Sequence, residues 1–170
     1  MYKFIVIIMF MFGFAKAQTS VTVSPVRLVD VKNVETAIPF PGEKAVIIFY
    51  VDPDVQDLPD PLSDALETEK FSLDKIAIIG IANCKETWIP NAIIRKKARK
   101  QQERFPQSLI LLDYDRLLAK AWDLGDCNNK LIVIIVGKDL KIIYQKAITS
   151  EDESKASVPD FLEAIRSEIR

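Results

Sequence analysis

The sequence predicts an α/β fold, a central mixed β-sheet flanked by helices, on three observations. Three continuous apolar runs rich in β-branched residues, Ala45–Val51, Ile76–Asn83 and Leu131–Val136, have the length and composition of strands covered on both faces. A segment of helical spacing joins the first run to the second, which makes a βαβ unit with parallel strands and a right-handed crossover. Gly137-Lys138-Asp139-Leu140 is too short for anything but a hairpin turn, so Lys141–Gln145 pairs antiparallel with the third run.

The N-terminal residues are set aside first. Met1-Tyr2-Lys3 precedes the apolar run Phe4–Phe14 and then Ala15-Lys16-Ala17, the pattern of a cleaved signal peptide over residues 1–17. The run is well short of the ~20 apolar residues of a spanning helix, so membrane contact is expected only through this leader before cleavage. A periplasmic or secreted location follows, with residues 18–170 as one domain of a size that supports a proper core. Lys3 and Lys16 are the leader's only charges, which leaves 21 basic and 24 acidic residues in the mature chain, a net charge of −3. That balance implies no nucleic-acid partner.

Between Ser20 and Ile38, apolar residues alternate with polar ones around Pro25, which predicts one or two peripheral strands. Pro39-Phe40-Pro41-Gly42 is a turn into the central strand. After the acidic loop Asp52-Pro53-Asp54-Val55-Gln56-Asp57, a helix is expected with Asp60 as its N-cap, Pro61 in its first turn and Leu62, Ala65 and Leu66 inward. Pro90-Asn91 opens a second helix with Ala92, Ile93, Ala98 and Phe105 as its apolar positions, closed by Pro106. Its basic residues, Arg95 to Arg104, read as a solvated face. Leu109–Leu112 and the helical spacing of Leu117, Leu118, Ala121 and Trp122 form a strand/helix insertion. Ser150–Ser157 reads as an acidic surface loop, and Ser157 caps a last helix with Pro159 in its first turn and Phe161, Leu162, Ile165 and Ile169 on one face.

The chain contains no histidine, which removes the commonest general base and zinc nitrogen ligand and excludes triads built on Ser-His or Cys-His. No Gly-rich phosphate loop and no G-x-S-x-G elbow occurs. The acids from Asp52 to Asp64 could hold a calcium ion only outside an EF-hand register, which needs Gly where Asp57 stands and Glu where Ser63 stands; helix capping is the reading preferred. No cofactor and no metal is implied. The candidate catalytic residues are therefore Cys84 and Cys127. An oxidising compartment favours a bridge between them; the strand order of the thioredoxin fold, which the order of elements above resembles, opposes it, since that resemblance implies the Ala45 strand between theirs and strand ends about 10 Å apart, beyond the ~4.4–6.8 Å between Cα atoms that a disulfide spans. Both readings stay open.

The order strand, helix, strand, helix, strand, antiparallel strand, helix resembles the thioredoxin fold, with an N-terminal strand extension and the Leu109–Trp122 insertion. Placing Phe49-Tyr50 on the aromatic pair of that fold puts Asp54 and Asp57 where its Cys-x-x-Cys would be, and Asn128-Asn129-Lys130 where it keeps a cis-proline. Asp52–Asp57, Asn83–Asn91 and the Gly137-Lys138-Asp139 hairpin are similar to the YtfJ-like family of exported bacterial thioredoxin-fold proteins, over essentially the mature chain. The resemblance implies the fold and an extracytoplasmic location, and no settled activity. The expected function is a non-catalytic binding or accessory role toward a protein or small-molecule partner, with a thiol-disulfide oxidoreductase using Cys84 and Cys127 as the alternative. The expected binding residues are Asp52, Asp54, Asp57, Trp88 and Asn129. An indole in a loop is commonly tucked into its own core; exposed, Trp88 would be an anchor.

Overall fold

The computed structural model describes residues 22–39 and 41–170, so the expected leader, residues 1–17, lies outside the described residues. The strands are β1 (Arg27–Asp30), β2 (Glu35–Ala37), β3 (Ala45–Val51), β4 (Ile76–Asn83), β5 (Leu109–Asp113), β6 (Leu131–Val136) and β7 (Ile142–Ile148). The helices are α1 (Asp60–Glu69), α2 (Asn91–Arg104), α3 (Leu117–Ala121) and α4 (Glu151–Ile169), with a 3-10 turn at Pro53–Val55. The seven strands form one sheet in the order β2-β1-β5-β4-β3-β6-β7. The β3, β4 and β5 strands are parallel, and β6 runs antiparallel to β3. The hairpin through Gly137–Leu140 pairs β7 antiparallel to β6, as expected.

The crossovers β3-α1-β4 and β4-α2-β5 step across the sheet in the same direction, and two right-handed crossovers of one direction place both helices on one face. On that face Ala45, Ile47 and Phe49 of β3 pack with Leu62 and Leu66 of α1 and Phe161, Leu162 and Ile165 of α4. Beside them Ile94 and Ala98 of α2 cover Leu112 of β5. On the opposite face the alternate residues Val46, Ile48 and Tyr50 pack with Leu118 of α3, Trp122, and Val26 and Leu28 from the N-terminal extension. Trp122 Nε1 donates to the Ser24 carbonyl at 2.9 Å and holds that extension against the sheet.

The structure corrects several helix boundaries. Pro59 is the residue before α1 and contributes no side-chain cap; Asp60 is the first helical residue, and Pro61 follows it where a missing N–H is tolerated. In α2 the buried positions are Ile94 and Ala98, while Ile93 is 48% exposed and Ala92 is exposed. In α3 Leu118 and Ala119 face inward; Leu117 and Ala121 do not. The largest correction is α4, which starts at Glu151: the expected acidic loop is its first two turns and Pro159 lies inside the helix. Ser150 Oγ accepts from Glu153 N at 3.3 Å and Glu153 Oε2 accepts from Thr149 N at 2.7 Å, a capping-box arrangement. Glu151, Asp152 and Glu153 add favourable charge at the helix N-terminus. Together these cap the helix upstream of the proline. Ser157 is fully buried, its hydroxyl donating to the Glu153 carbonyl at 2.5 Å.

Candidate functional site

The C-terminal ends of β3, β4 and β5 meet at one edge of the sheet, the position where open α/β sheets place ligands. Three loops cover that edge: Asp52–Pro59 after β3, Cys84–Pro90 after β4, and Asp123–Lys130 before β6.

Asp52 joins the first loop to the third. Its side chain is fully buried; Oδ1 accepts from Asp54 N at 2.9 Å and Oδ2 from Asn129 N at 2.7 Å, while its own N–H donates to the Lys130 carbonyl at 3.0 Å. A buried carboxylate satisfied in this way shapes the loops and is not a contact surface. Asn129 is exposed and takes φ +51°, a left-handed conformation that asparagine tolerates better than other non-glycine residues. No cis peptide bond occurs among the described residues. Asp54 and Asp57 are exposed. Among the described residues no group of three or more Cys, Asp and Glu side chains is placed to hold a metal ion.

The second loop is tied to the third by charges that the sequence reading did not pair. Glu86 forms an ion pair with Arg116 at 3.0 Å, both half-buried, and Arg116 also donates to the Gly125 carbonyl at 2.9 Å. Arg116 holds φ +58°, an unfavourable region for its side chain, just ahead of α3. Asn83, fully buried, donates from Nδ2 to Glu86 Oε2. Its Oδ1 and the Arg116 Nε are buried without a hydrogen-bond partner among the described residues. Beneath them, Asp113 caps α3 by accepting from Leu117 N at 2.8 Å and Leu118 N at 3.0 Å, and it accepts the Tyr50 hydroxyl at 3.2 Å. Burial, followed by the nearby Asp113 carboxylate, pushes the Tyr50 phenol far above its ordinary range. Asp113 closing an apolar run was the one visible signal for this layer; pairing Glu86 with Arg116 required the fold.

The two cysteines are not brought together. Both are unbridged and buried. Cys84 packs with Ile94 and Leu112 on the α2 face of the sheet, and Cys127 with Tyr50 and Trp122 on the other. Burial pushes the Cys84 thiol up to about 12, and burial with the Glu86 carboxylate pushes Cys127 up to about 11. Near neutral pH both are thiols, whereas the nucleophile in disulfide chemistry is the thiolate. Their Sγ atoms donate to backbone carbonyls, Cys84 to Ala82 at 3.4 Å and Cys127 to Gly125 at 3.6 Å.

Trp88 stands out from this stitched edge. It is 85% exposed, next to half-buried Ile89, whose N–H donates to Thr87 Oγ1 at 3.1 Å.

The parallel β3-β4-β5 core, the antiparallel β6-β7 hairpin and the closing helix α4 define a thioredoxin-like α/β protein. Solved structures of that fold match at low identity. They include BsSco, of the Sco family of cytochrome c oxidase assembly proteins, at 13% identity and TM-score 0.60, covering 87% of this chain and 95% of that one. The exposed lipoprotein thioredoxin Etrx1 of Streptococcus pneumoniae matches at 12% identity and TM-score 0.60, over 85% of this chain and 99% of that one. A putative thiol:disulfide interchange protein DsbE from Chlorobium tepidum matches at 10% and 0.59, over 86% and 96%. No curated protein matches in sequence. The chain belongs to the YtfJ_HI0045 family, described as a bacterial protein of unknown function, whose model matches residues 47–167.

Proposed function

We propose that this is an exported thioredoxin-fold protein that works by binding, as a non-catalytic accessory factor, through the sheet edge formed by its three loops. Residues 1–17 are its cleaved leader, residues 18–170 its single mature domain, and its location is periplasmic or secreted. One observation carries the reading: Trp88 is exposed on loops that the Asp52 and Glu86–Arg116 contacts hold in place. An aromatic anchor on a preorganised surface loses little entropy when a partner covers it, and such anchors dominate interface energies. Asp54, Asp57 and Asn129, all exposed, form the polar surround.

The rival reading, a thiol-disulfide oxidoreductase using Cys84 and Cys127, draws support from the likeness to BsSco and DsbE, which at this identity concerns the fold alone. Against it weigh the burial of both thiols on opposite faces of the sheet and the acids Asp54 and Asp57 at the redox-motif positions. The test is recovery of partners on immobilised mature protein, wild type against Trp88→Ala, alongside an insulin reduction assay. Trp88→Ala should lose at least tenfold of the recovered partner with its thermal midpoint unchanged, and neither form should reduce insulin. Turnover that disappears in Cys84→Ser or Cys127→Ser would replace this reading with the rival.

A further inference from the structure

The helix-bearing face of the sheet is not fully covered. On β4, a central strand, Ile79 and Ile81 are fully buried on one face while Ile78, Gly80 and Ala82 on the other remain half-exposed. They floor a cleft of about 630 Å3 between α1 and α2, a volume within the roughly 300–1,000 Å3 of small-molecule sites. Ile110 lies across this floor against Gly80, where an added Cβ would stand 2.8 Å from its Cδ1. Phe49 and Phe105 extend the apolar lining.

The two rims carry opposite charge. On the α2 side are Lys97, whose ammonium reaches an amide, Gln56 Oε1, at 3.2 Å, and Arg104, whose guanidinium stands 4.9 Å over the Phe105 ring. On the α1 side are Asp60, Asp64 and Glu67, with Lys70 at the helix's end, which leaves that side net negative. Burial and the neighbouring Asp57 and Asp64 carboxylates hold Asp60 above the usual carboxylate range, and the Arg104 guanidinium acts the other way. An anionic amphiphile would satisfy the basic rim and be repelled by the other; a cationic one would meet the reverse. An apolar chain bearing a phosphate and an ammonium together complements floor and both rims.

We infer that the α1–α2 cleft is a binding site for a single-chain zwitterionic amphiphile of the lysophospholipid kind, its chain over Ile78, Gly80 and Ala82, its phosphate toward Lys97 and Arg104 and its ammonium toward Asp60 and Asp64. The cleft adjoins the loop edge, sharing Pro53, Gln56, Pro59 and Ile89 with it, but Trp88 is not part of its lining.

Equilibrium dialysis of the mature chain against radiolabelled 1-palmitoyl-lysophosphatidylcholine, below its critical micelle concentration, tests this directly. Saturable one-to-one binding is expected, weakening by up to about fifteenfold for every two carbons removed from the chain. Ser63→Phe, which fills the cleft from a half-exposed position on α1, should weaken binding at least tenfold. Lys97→Glu, on the surface, should weaken it about threefold or more, and Lys155→Glu, an exposed site on α4, should leave it unchanged. Palmitate and hexadecyltrimethylammonium should each bind more weakly than the zwitterion. Absence of saturable binding, unchanged binding by both Ser63→Phe and Lys97→Glu, or equal binding of either singly charged amphiphile would overturn the assignment.

Discussion

Asp52 and Asp113 are both fully buried at the sheet edge, and each spends its oxygens on backbone N–H groups that would otherwise be stranded. Removing one leaves buried donors unsatisfied, which costs more than the net value of the bonds lost. Asp52→Ala should therefore destabilise by about 3 kcal/mol in urea unfolding, and Asp52→Asn, which keeps one acceptor oxygen, by roughly half of that. The thiols give a pH-dependent counterpart. Cys84 has its folded pKa raised from 9.0 to about 12, so below pH 9 it is protonated in both states and its contribution to stability is complete. Between about pH 9 and 12 the unfolded chain ionises and the folded one does not, so stability falls as pH rises. Urea midpoints measured at pH 7 and pH 10 should differ less for Cys84→Ala than for the wild type. A native thiol count near pH 7.5 should find both cysteines slow to react, and unfolding should release both.

At the scale of elements, α4 shows how capping outweighs an internal proline. The Ser150–Glu153 arrangement and three acids in the first turn favour a start at Glu151, eight residues ahead of Pro159, although that proline removes an interior hydrogen bond. Ser150→Ala should lower stability by about 1 kcal/mol. Pro159→Ala, at an exposed position, should raise it by about 1–3 kcal/mol as the missing N–H and the carbonyl four residues earlier are reunited. The basic helix α2 uses part of its charge internally: Arg95 donates to the Tyr114 hydroxyl at 3.0 Å and Arg99 to the Val31 carbonyl at 2.9 Å, fastening the helix to β5 and β1 flanks. Lys96 and Lys100 stay exposed, the solvated face that their pattern suggested.

For the whole molecule, the fold gives its two tryptophans different environments. Trp122 is buried with its indole N–H satisfied, and Trp88 is exposed. Acrylamide quenching should divide the native fluorescence into an accessible and a protected fraction, with only the protected one left in Trp88→Ala. That variant should unfold within about 0.5 kcal/mol of wild type, as an exposed substitution does, whereas a core tryptophan truncation would cost ~3–5 kcal/mol. N-terminal sequencing of protein exported from cells should begin at Gln18.

The three central strands were legible in the sequence, because short continuous runs of β-branched residues bounded by turn signals suit strands buried on both faces. The parallel pairing of β3 with β4 followed from the helix between them, and the β6-β7 hairpin from a four-residue turn. The loop edge was also legible, since it lies by construction at the C-terminal ends of those strands. Facing and long-range pairing, by contrast, were set by packing between elements. Cys84 and Cys127 are placed by strand order at one edge, but the paths of their loops set them against opposite faces of the sheet. Asp52 reads as one acid among several until the Asn129 N–H meets it from 77 positions away. Trp88, whose exposure no local pattern sets, and the α1–α2 cleft depend on how far two helices stand apart, a packing distance that periodicity within either helix does not encode.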